Sequence, residues 1–158
     1  MATHKARDER FGGFLEDYAI GHRFEHWPGK TITDTENHLF CLLTMANSPL
    51  HTDRHYAERE MAGGRNVVVG TFLYSLLLGM SVPDVSGRAI AALGVSDLRH
   101  TKPFHPGDTL YAESEVKEVR PSRSRGDAGI LTVETTGTNQ DGETVTKFTR
   151  SVLLPRRS

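Results

Sequence analysis

The sequence predicts a single α+β domain in which an antiparallel sheet packs against one buried helix. Residues 67–82 form an apolar run that is too short to span a membrane and has no polar face, which is typical of a helix buried inside a protein. Four later stretches rich in Val, Thr, Ile and Leu are each bounded by turn residues, as antiparallel strands are. The chain has 158 residues, the length of one domain, so we assign 1–158 to it and expect a flexible N-terminus over about residues 1–12.

Composition and charge exclude several classes of function. Lys and Arg number 19 against 20 Asp and Glu, a net charge of −1, whereas a nucleic-acid-binding domain is normally strongly basic. A single cysteine, Cys41, excludes an intramolecular disulfide and a multi-cysteine metal site. The first ten residues are polar and lack the apolar core of a secretory signal. We therefore expect a cytoplasmic protein with no nucleic-acid or membrane partner.

Local start and stop signals locate the helices. The central helix should cover about residues 70–80 and end at Pro83, because proline disrupts a helix interior. Thr33-Asp-Thr-Glu36 fits a capping box, so a second helix should begin there and stop before Pro49. Apolar residues recur at helical spacing along this second helix: Leu39, Leu42, Leu43 and Ala46.

The main strands follow the central helix. They are predicted over residues 89–98, 109–119, 130–138 and 143–154. Asn139-Gln-Asp-Gly142 is typical of a turn that joins two strands into a hairpin, here the last two. Residues 23–27 and 30–32 add one or two short strands near the N-terminus.

Two motifs resemble a known family. Ser48-Pro-Leu-His51, followed by Asp53 and Tyr56-Ala57, is similar to the Asn-Pro-(Ile/Leu)-His-x-Asp-x-x-Tyr-Ala signature of MaoC-like (R)-specific enoyl-thioester hydratases and dehydratases. Residues 103–110, Pro-Phe-His-Pro-Gly-Asp-Thr-Leu, resemble the Pro-x-x-x-Gly-Asp-Thr-Leu segment of the same family. Shorter stretches resemble its mesaconyl-CoA and itaconyl-CoA hydratase branch: residues 29–33, 43–45, 120–129 and 139–142.

The resemblance implies a hotdog fold, in which the sheet wraps around the central helix at about residues 70–80. It also implies a homodimer or higher homo-oligomer, with each active site near the subunit interface. Pairing of sheet edges across a two-fold axis would protect the exposed edge of a small open sheet. Substrates of this family are acyl thioesters of coenzyme A or of a phosphopantetheine arm, so we expect no separate cofactor and consider acyl carrier protein a candidate partner.

Hydration of a 2-enoyl thioester needs a base for the attacking water and donors for the developing enolate oxygen. By the resemblance, His51 is the base and proton shuttle, and the amide of Gly70 at the start of the central helix is the oxyanion donor. The resemblance also places three residues next to the substrate: Ala46, Val69 and Thr71. Alternatively, His51 is a hydrogen-bonded residue in a structural turn, and Gly70 lets the helix approach the sheet closely.

The chain departs from the family pattern just before the histidine. The family aspartate, five positions earlier, falls on Ala46, and the family asparagine, three positions earlier, falls on Ser48. Either His51 acts alone while Asn47 or Ser48 holds the water, or the reaction is no longer plain hydration, since alanine has no hydrogen-bonding side chain. The nearest carboxylate is Asp53, which is either catalytic or the cap of a short third helix.

A basic cluster occupies residues 120–125. Arg123 and Arg125 are candidate contacts for the phosphates of coenzyme A or phosphopantetheine, because guanidinium groups match phosphate geometry. The same cluster could receive an acidic carrier protein, and a solvated loop is the third interpretation.

The histidines show no convincing metal-ligand pattern. His51 and His55 are four residues apart, but they lie on either side of a predicted helix start and no third ligand accompanies them. The other histidines considered form no such pair on a convincing helix: His22, His26, His38, His100 and His105. We therefore expect no metal site.

Three functional hypotheses follow from the resemblance and the departure. The leading one is a hydratase or dehydratase that acts on the 2,3 double bond of a short or branched acyl thioester. The second keeps the pocket but changes the reaction to thioester hydrolysis or to addition of an amine. The third is a non-catalytic acyl-thioester binding subunit, which would explain Ala46 most simply.

Overall fold

The computed structural model describes residues 11–157 and confirms the α+β class. Ten of the twelve residues predicted as a flexible N-terminus lie outside the described part. The strands are β1 (Arg23–Thr31), β2 (Ala91–His100), β3 (Thr109–Pro121), β4 (Ala128–Thr138) and β5 (Thr144–Pro155). The helices are α1 (Asp34–Thr44), α2 (Pro49–Thr52), α3 (Arg54–Glu60) and α4 (Gly70–Ser81), with a 3-10 turn at Leu15–Asp17.

The five strands form one antiparallel sheet in the order β1-β3-β4-β5-β2. Strands β1 and β2 are therefore its two edges. The two short strands predicted near the N-terminus are one strand, β1, whose pairing with β3 shifts between His26 and Lys30. The predicted hairpin between the last two strands is confirmed, and Gly142 in its turn has a φ of 76°, which glycine adopts without strain.

Helix α4 lies against one face of the sheet and forms the core with it. Leu73 and Leu77 are 2% and 0% exposed, and the Tyr74 and Phe148 rings meet edge-on with centroids 4.8 Å apart. A Cβ atom on Gly137 of β4 would lie 2.7 Å from the Leu77 side chain, so the missing side chain lets the helix approach the sheet. Each leucine buried in this way stabilises the fold by roughly 1.5–3 kcal/mol.

The opposite face of the sheet carries a ladder of alternating charges. Arg23 pairs with Glu115 at 2.8 Å, and Lys117 bridges Glu115 and Glu134 at 2.9 and 3.3 Å. Lys147 continues the ladder with a 3.0 Å contact to Glu134. The ladder crosses β1, β3, β4 and β5, so this face is solvated and the core lies on the helix side alone.

Helix α1 begins as predicted but turns a different face inward. The side chain of Thr33 accepts from the Glu36 amide, and the Glu36 carboxylate accepts from the Thr33 amide, which is the predicted capping box. The helix ends at Thr44, before the predicted stop, and its cap residue Met45 is in the left-handed region at φ 60°. Its buried residues are Asn37 and Cys41, whereas the helically spaced leucines are exposed: Leu39, Leu42 and Leu43.

Helix α4 extends one residue beyond the predicted end, and the chain continues as a π-helical turn over Val82–Ser86. Pro83 was expected to end the helical path, but it lies in the first positions of this new turn, where its missing N–H is tolerated. Within residues 11–157, no helix is long and apolar enough to cross a membrane.

A buried polar chain joins the π-helical turn to the sheet. The ring of His26 meets the Asp84 carboxylate at 2.7 Å through Nδ1 and the Ser114 hydroxyl at 2.8 Å through Nε2. The hydroxyl groups of Ser114 and Thr135 are 2.8 Å apart. His26 is therefore a structural residue that links β1, β3 and β4 to the end of the central helix.

The capping box gives a prediction for stability. Its hydrogen bonds with Lys30 and with the Thr33 amide lower the pKa of Glu36 from 4.5 to about 2. This contribution is fully present above pH 4.5 and is lost as the pH falls towards 2. Glu36→Gln should therefore lower the free energy of unfolding at pH 7 by about 1 kcal/mol or less, and by a smaller amount at pH 3.

Urea unfolding at the two pH values measures this difference. Glu58→Gln, on the exposed helix α3, is the matched control and should change stability little at either pH. An equal loss for Glu36→Gln at pH 7 and pH 3 would contradict the assignment.

Candidate active site

A cavity of about 370 Å³ lies where the start of α4, the short helix α2 and the end of β2 meet. His51, Gly70, His100, Thr101 and Lys102 contribute the polar part of its wall. The apolar part is formed by Leu50, Met61, Val67, Val68, Leu73, Pro103 and Phe104. Within the described chain, no Asp or Glu side chain lines this cavity.

A larger groove, of about 570 Å³, lies between β1 and β3 next to the exposed Trp27 and Tyr111. It contains none of the residues predicted for catalysis or substrate binding. The smaller cavity is therefore the candidate site, because both His51 and Gly70, at the start of α4, line it.

The orientation of His51 is fixed by the chain segment that precedes α4. The Nδ1 atom of His51 lies 2.9 Å from the carbonyl oxygen of Val67. A carbonyl oxygen can only accept, so Nδ1 carries the proton and Nε2 keeps its lone pair. The geometry thus leaves Nε2 as a base, which is the protonation pattern that the predicted role requires.

Asn37 connects this histidine to the start of α4. Its side-chain amide donates to the carbonyl of His51 at 3.0 Å, and its oxygen accepts from the amide of Val69 at 3.1 Å. Asn37 is 1% exposed. On the other side of α2, Asn66 donates to the carbonyls of Leu50 and Asp53 at 3.0 and 3.1 Å. These two asparagines bind the carbonyl groups of α2, the helix that carries His51, and of its cap residue Asp53.

The first amides of α4 are free to bind an anion or a carbonyl oxygen. The amide of Val69 is bonded to Asn37, and the amide of Phe72 donates to the Val69 carbonyl at 2.9 Å. Within residues 11–157, the amides of Gly70 and Thr71 between them have no acceptor. Unpaired amides at a helix start, where the helix dipole is positive, are the donors that an oxyanion hole uses.

His100, at the end of β2, covers this helix start. A Cβ atom on Gly70 would lie 2.5 Å from its Nε2 atom, so only glycine fits beneath the ring. The Nδ1 atom of His100 lies 3.0 Å from the hydroxyl of Thr146, which is buried. Desolvation lowers the pKa of His100, which favours the neutral ring.

The predicted residues before His51 adjoin the cavity without lining it. Ala46, Asn47 and Ser48 form the loop between α1 and α2. The carbonyl of Ser48 accepts from the His51 amide at 3.0 Å, so this loop sets the start of the histidine helix. The Asp53 carboxylate accepts from the Tyr56 amide at 2.9 Å and caps α3. The cap interpretation of Asp53 is therefore the one that the structure supports, and Asp53 does not line the cavity.

Two further predicted contacts flank the helix start. Val69 is buried with its amide bonded to Asn37, and Thr71 lies on the exposed side of the first turn of α4. Neither side chain lines the cavity.

The predicted arginine contacts lie elsewhere in the protomer. Arg123 and Arg125 are in the turn between β3 and β4, next to the far end of β5, where the Arg156 amide donates to Asp127. The cavity is at the near end of β5, beside Thr146, and the path along the strand between the two ends is about 30 Å at 3.4 Å per residue. Arg125 is also paired with Asp127 through two hydrogen bonds of 3.0 and 2.8 Å. Within one protomer, Arg123 and Arg125 therefore lie at the opposite end of β5 from the cavity, and neither of them lines it.

Sequence reasoning missed two residues of the site. Asn37 follows the capping box and carries no local signal, because its partners are fourteen or more residues away. His100 was considered only as a metal ligand, since its contact with Gly70 depends on how β2 pairs with β5. Neither position could be found without the fold.

Known proteins resemble this chain in sequence and in fold. Residues 2–158 match the family model described as mesaconyl-CoA hydratase. The mesaconyl-CoA hydratase of Cereibacter sphaeroides is 36% identical over 146 residues, which are 92% of this chain and 42% of that relative. The chain thus spans about two fifths of the length of this curated relative.

Solved structures of similar proteins identify the fold. The MaoC-like dehydratase from Rhodospirillum rubrum matches with a TM-score of 0.80 at 30% identity, over 93% of this chain and 99% of that chain. A Mycobacterium tuberculosis protein with a double hotdog fold matches with a TM-score of 0.69 at 22% identity, over 92% of this chain and 45% of that chain. The hotdog fold that the sequence motifs implied is therefore confirmed.

Because Gly70 lies against His100 and Gly79 lies in open space, alanine substitutions at these two positions of α4 should have opposite effects on stability. Gly70→Ala should displace the His100 ring, break its bond to Thr146 and destabilise the protein by about 1 kcal/mol. Gly79→Ala is the matched control, because a Cβ atom there meets nothing within 4 Å. It should stabilise the protein by up to about 1 kcal/mol through helix propensity.

Urea unfolding of both variants measures this difference. Equal effects of the two substitutions would show that the His100 ring moves aside without cost. They would contradict the claim that this ring requires glycine at position 70.

Proposed function

Because the chain belongs to the mesaconyl-CoA hydratase family, we propose that it adds water to, or removes it from, the 2,3 double bond of a short or branched acyl thioester. The observation that carries this proposal is the cavity in which the basic Nε2 of His51 and the unpaired Gly70 amide occur together. Hydration needs both groups, one for the attacking water and one for the thioester oxygen.

The geometry supports a mechanism with one titrating group. Water attacks C3 of the enoyl group while Nε2 of His51 takes one of its protons. The electron pair of the double bond moves to the thioester oxygen, which the Gly70 amide holds as an enolate. The protonated His51 then delivers the same proton to C2, so one water is added and the histidine is restored. Val67 holds Nδ1 throughout and keeps the ring in the correct orientation.

The absence of a carboxylate from the described cavity wall favours His51 as the single base over the paired arrangement of the family motif. Asn47 and Ser48, in the loop before α2, are the candidates to hold the water in place of an aspartate. The same absence is the reason to test a second reaction class, thioester hydrolysis or amine addition. Product mass separates them, because hydration keeps the thioester and adds one water.

We propose that the substrate is a thioester of coenzyme A or of phosphopantetheine, which itself contains the phosphate groups. No further cofactor is needed. We also propose that the protein is cytoplasmic and that an acyl carrier protein is a partner. Because the relative from Cereibacter sphaeroides is named for mesaconyl-CoA, branched enoyl-CoA thioesters with a second carboxylate are the first substrates to test.

His51→Ala should lower the rate of thioester hydration by at least about 10³-fold, because it removes the only base that the mechanism uses. His55→Ala is the matched control, since His55 is an exposed histidine four residues further on, in α3. It should keep nearly full activity. Mass spectrometry of crotonyl, mesaconyl and itaconyl thioesters, on coenzyme A and on a carrier protein, measures the gain of one water.

Full hydration by a folded His51→Ala protein would falsify the proposed role. A wild-type protein that releases free thiol, or that reacts only with an added amine, would replace hydration by the second reaction class. Binding without any turnover would favour a non-catalytic subunit.

We also propose that two copies of the chain pair through the edge strand β2. All ten residues of β2 are exposed, including the apolar Leu93, Val95 and Leu98. An uncovered apolar edge with unpaired backbone groups is a site for pairing with another strand. The double hotdog relative carries two such folds in one chain, and a pair of copies would supply the same number. A two-fold axis would bring each cavity next to the partner, because His100 ends β2.

Light scattering tests this pairing. The wild type should have twice the chain mass of 17.5 kDa, or a higher multiple of it. Val95→Lys, in the middle of β2, should shift the protein towards the monomer, because it places two like charges close together at the paired edge. Ile20→Lys is the control, since Ile20 is 70% exposed in the turn before β1. A monomeric wild type would contradict the proposal.

A further inference from the structure

The imidazole of His100 lies against the start of α4, with its Nε2 atom close to Gly70. Its Nε2 atom lies 2.5 Å from where a Cβ of Gly70 would be. A residue's own nitrogen is about 2.5 Å from its Cβ, so Nε2 lies within about 5 Å of the Gly70 nitrogen. Two donors at this separation can both reach one oxygen atom at hydrogen-bond lengths of ~2.9 Å.

The bond to Thr146 determines which ring nitrogen of His100 carries the proton. Thr146 is 0% exposed, and within residues 11–157 the acceptor in reach of its hydroxyl is Nδ1 of His100, at 3.0 Å. A buried hydroxyl donates when an acceptor is available, so Thr146 donates to Nδ1. In the neutral ring the proton is then on Nε2, on the side of the cavity and of Gly70.

At the same cavity, His51 therefore offers a hydrogen-bond acceptor and His100 a hydrogen-bond donor. A carbonyl fixes His51 with a free lone pair on Nε2, while a hydroxyl fixes His100 with an N–H at the same ring position. Desolvation lowers the pKa of His100, which keeps it a neutral donor rather than a second acid. A neutral imidazole can polarise a carbonyl in this way without exchanging its proton.

We propose that His100 is a second oxyanion donor, which binds the thioester oxygen through Nε2–H beside the Gly70 amide. This inference rests on the proposed function, because it concerns the enolate of that reaction. No proton is transferred: the Nε2–H bond stays intact, and the hydrogen bond strengthens as negative charge develops on the oxygen. His100 thus lowers the barrier without taking part in the proton balance.

A pair of variants with nearly the same shape tests the donor. His100→Gln keeps an N–H group at the end of the side chain, whereas His100→Met fills similar space without one. Loss of one oxyanion donor typically lowers kcat by about 10²-fold or more. His100→Met should show such a loss with KM changed by only a few-fold, and His100→Gln should recover at least about tenfold of it.

The tautomer is tested without turnover. Long-range proton–nitrogen NMR of the histidine rings should show His100 protonated on Nε2 in the wild type. Thr146→Val keeps the shape of the side chain and removes the hydroxyl, so it should give a mixture of the two tautomers and a several-fold lower kcat. A ring protonated on Nδ1 in the wild type would overturn the inference.

The outcomes separate this inference from the proposed function. If the wild type hydrates thioesters but His100→Met and His100→Gln have the same kcat, then His100 only fills space and the inference fails while the function stands. If the wild type adds no water to any thioester of the panel, both fail, because no enolate oxygen is formed for His100 to bind.

Discussion

One buried side chain, the amide of Asn37, holds the chemistry of this protein together. It joins the carbonyl of His51 on one side to the amide of Val69 on the other, so α2 and the start of α4 are linked through one side chain. The group is 1% exposed, and leaving its partners unpaired would cost roughly 1–3 kcal/mol each. Hydrogen bonds through this one amide therefore help to fix the position of the proposed base relative to the proposed oxyanion donor.

The same constraint explains the orientation of helix α1. Its leucines would be expected to face the core, but the inward side is taken by Asn37 and Cys41, and Leu39 and Leu42 are 53% and 74% exposed. An apolar helix face and an apolar edge strand are thus both left uncovered in a single protomer. The fold is consistent with a subunit that completes its surface by association.

Local signals predicted most of the fold. The capping box at Thr33 and the hairpin turn ending at Gly142 depend on neighbours within a few residues, and both are present in the structure. Where a motif carried the prediction, as for His51 and Gly70, the structure places the residues in the wall of one cavity. The site was not predictable where distant segments meet, as for Asn37 and His100. The arginines of the β3–β4 turn show the same limit, because a basic cluster in the sequence carries no information about its distance from the cavity.

On our two proposals, His100 belongs both to the catalytic site and to the subunit contact. It is the last residue of β2, the strand that lies at the free edge of the sheet and that we propose to be the subunit contact. A strand supported on one side only is expected to fray at its end, and His100 lies at that end. On the proposed arrangement, dilution that separates the subunits would loosen the ring over Gly70. Specific activity would then depend on enzyme concentration, and an assay at nanomolar enzyme could understate what the protein does in a concentrated solution.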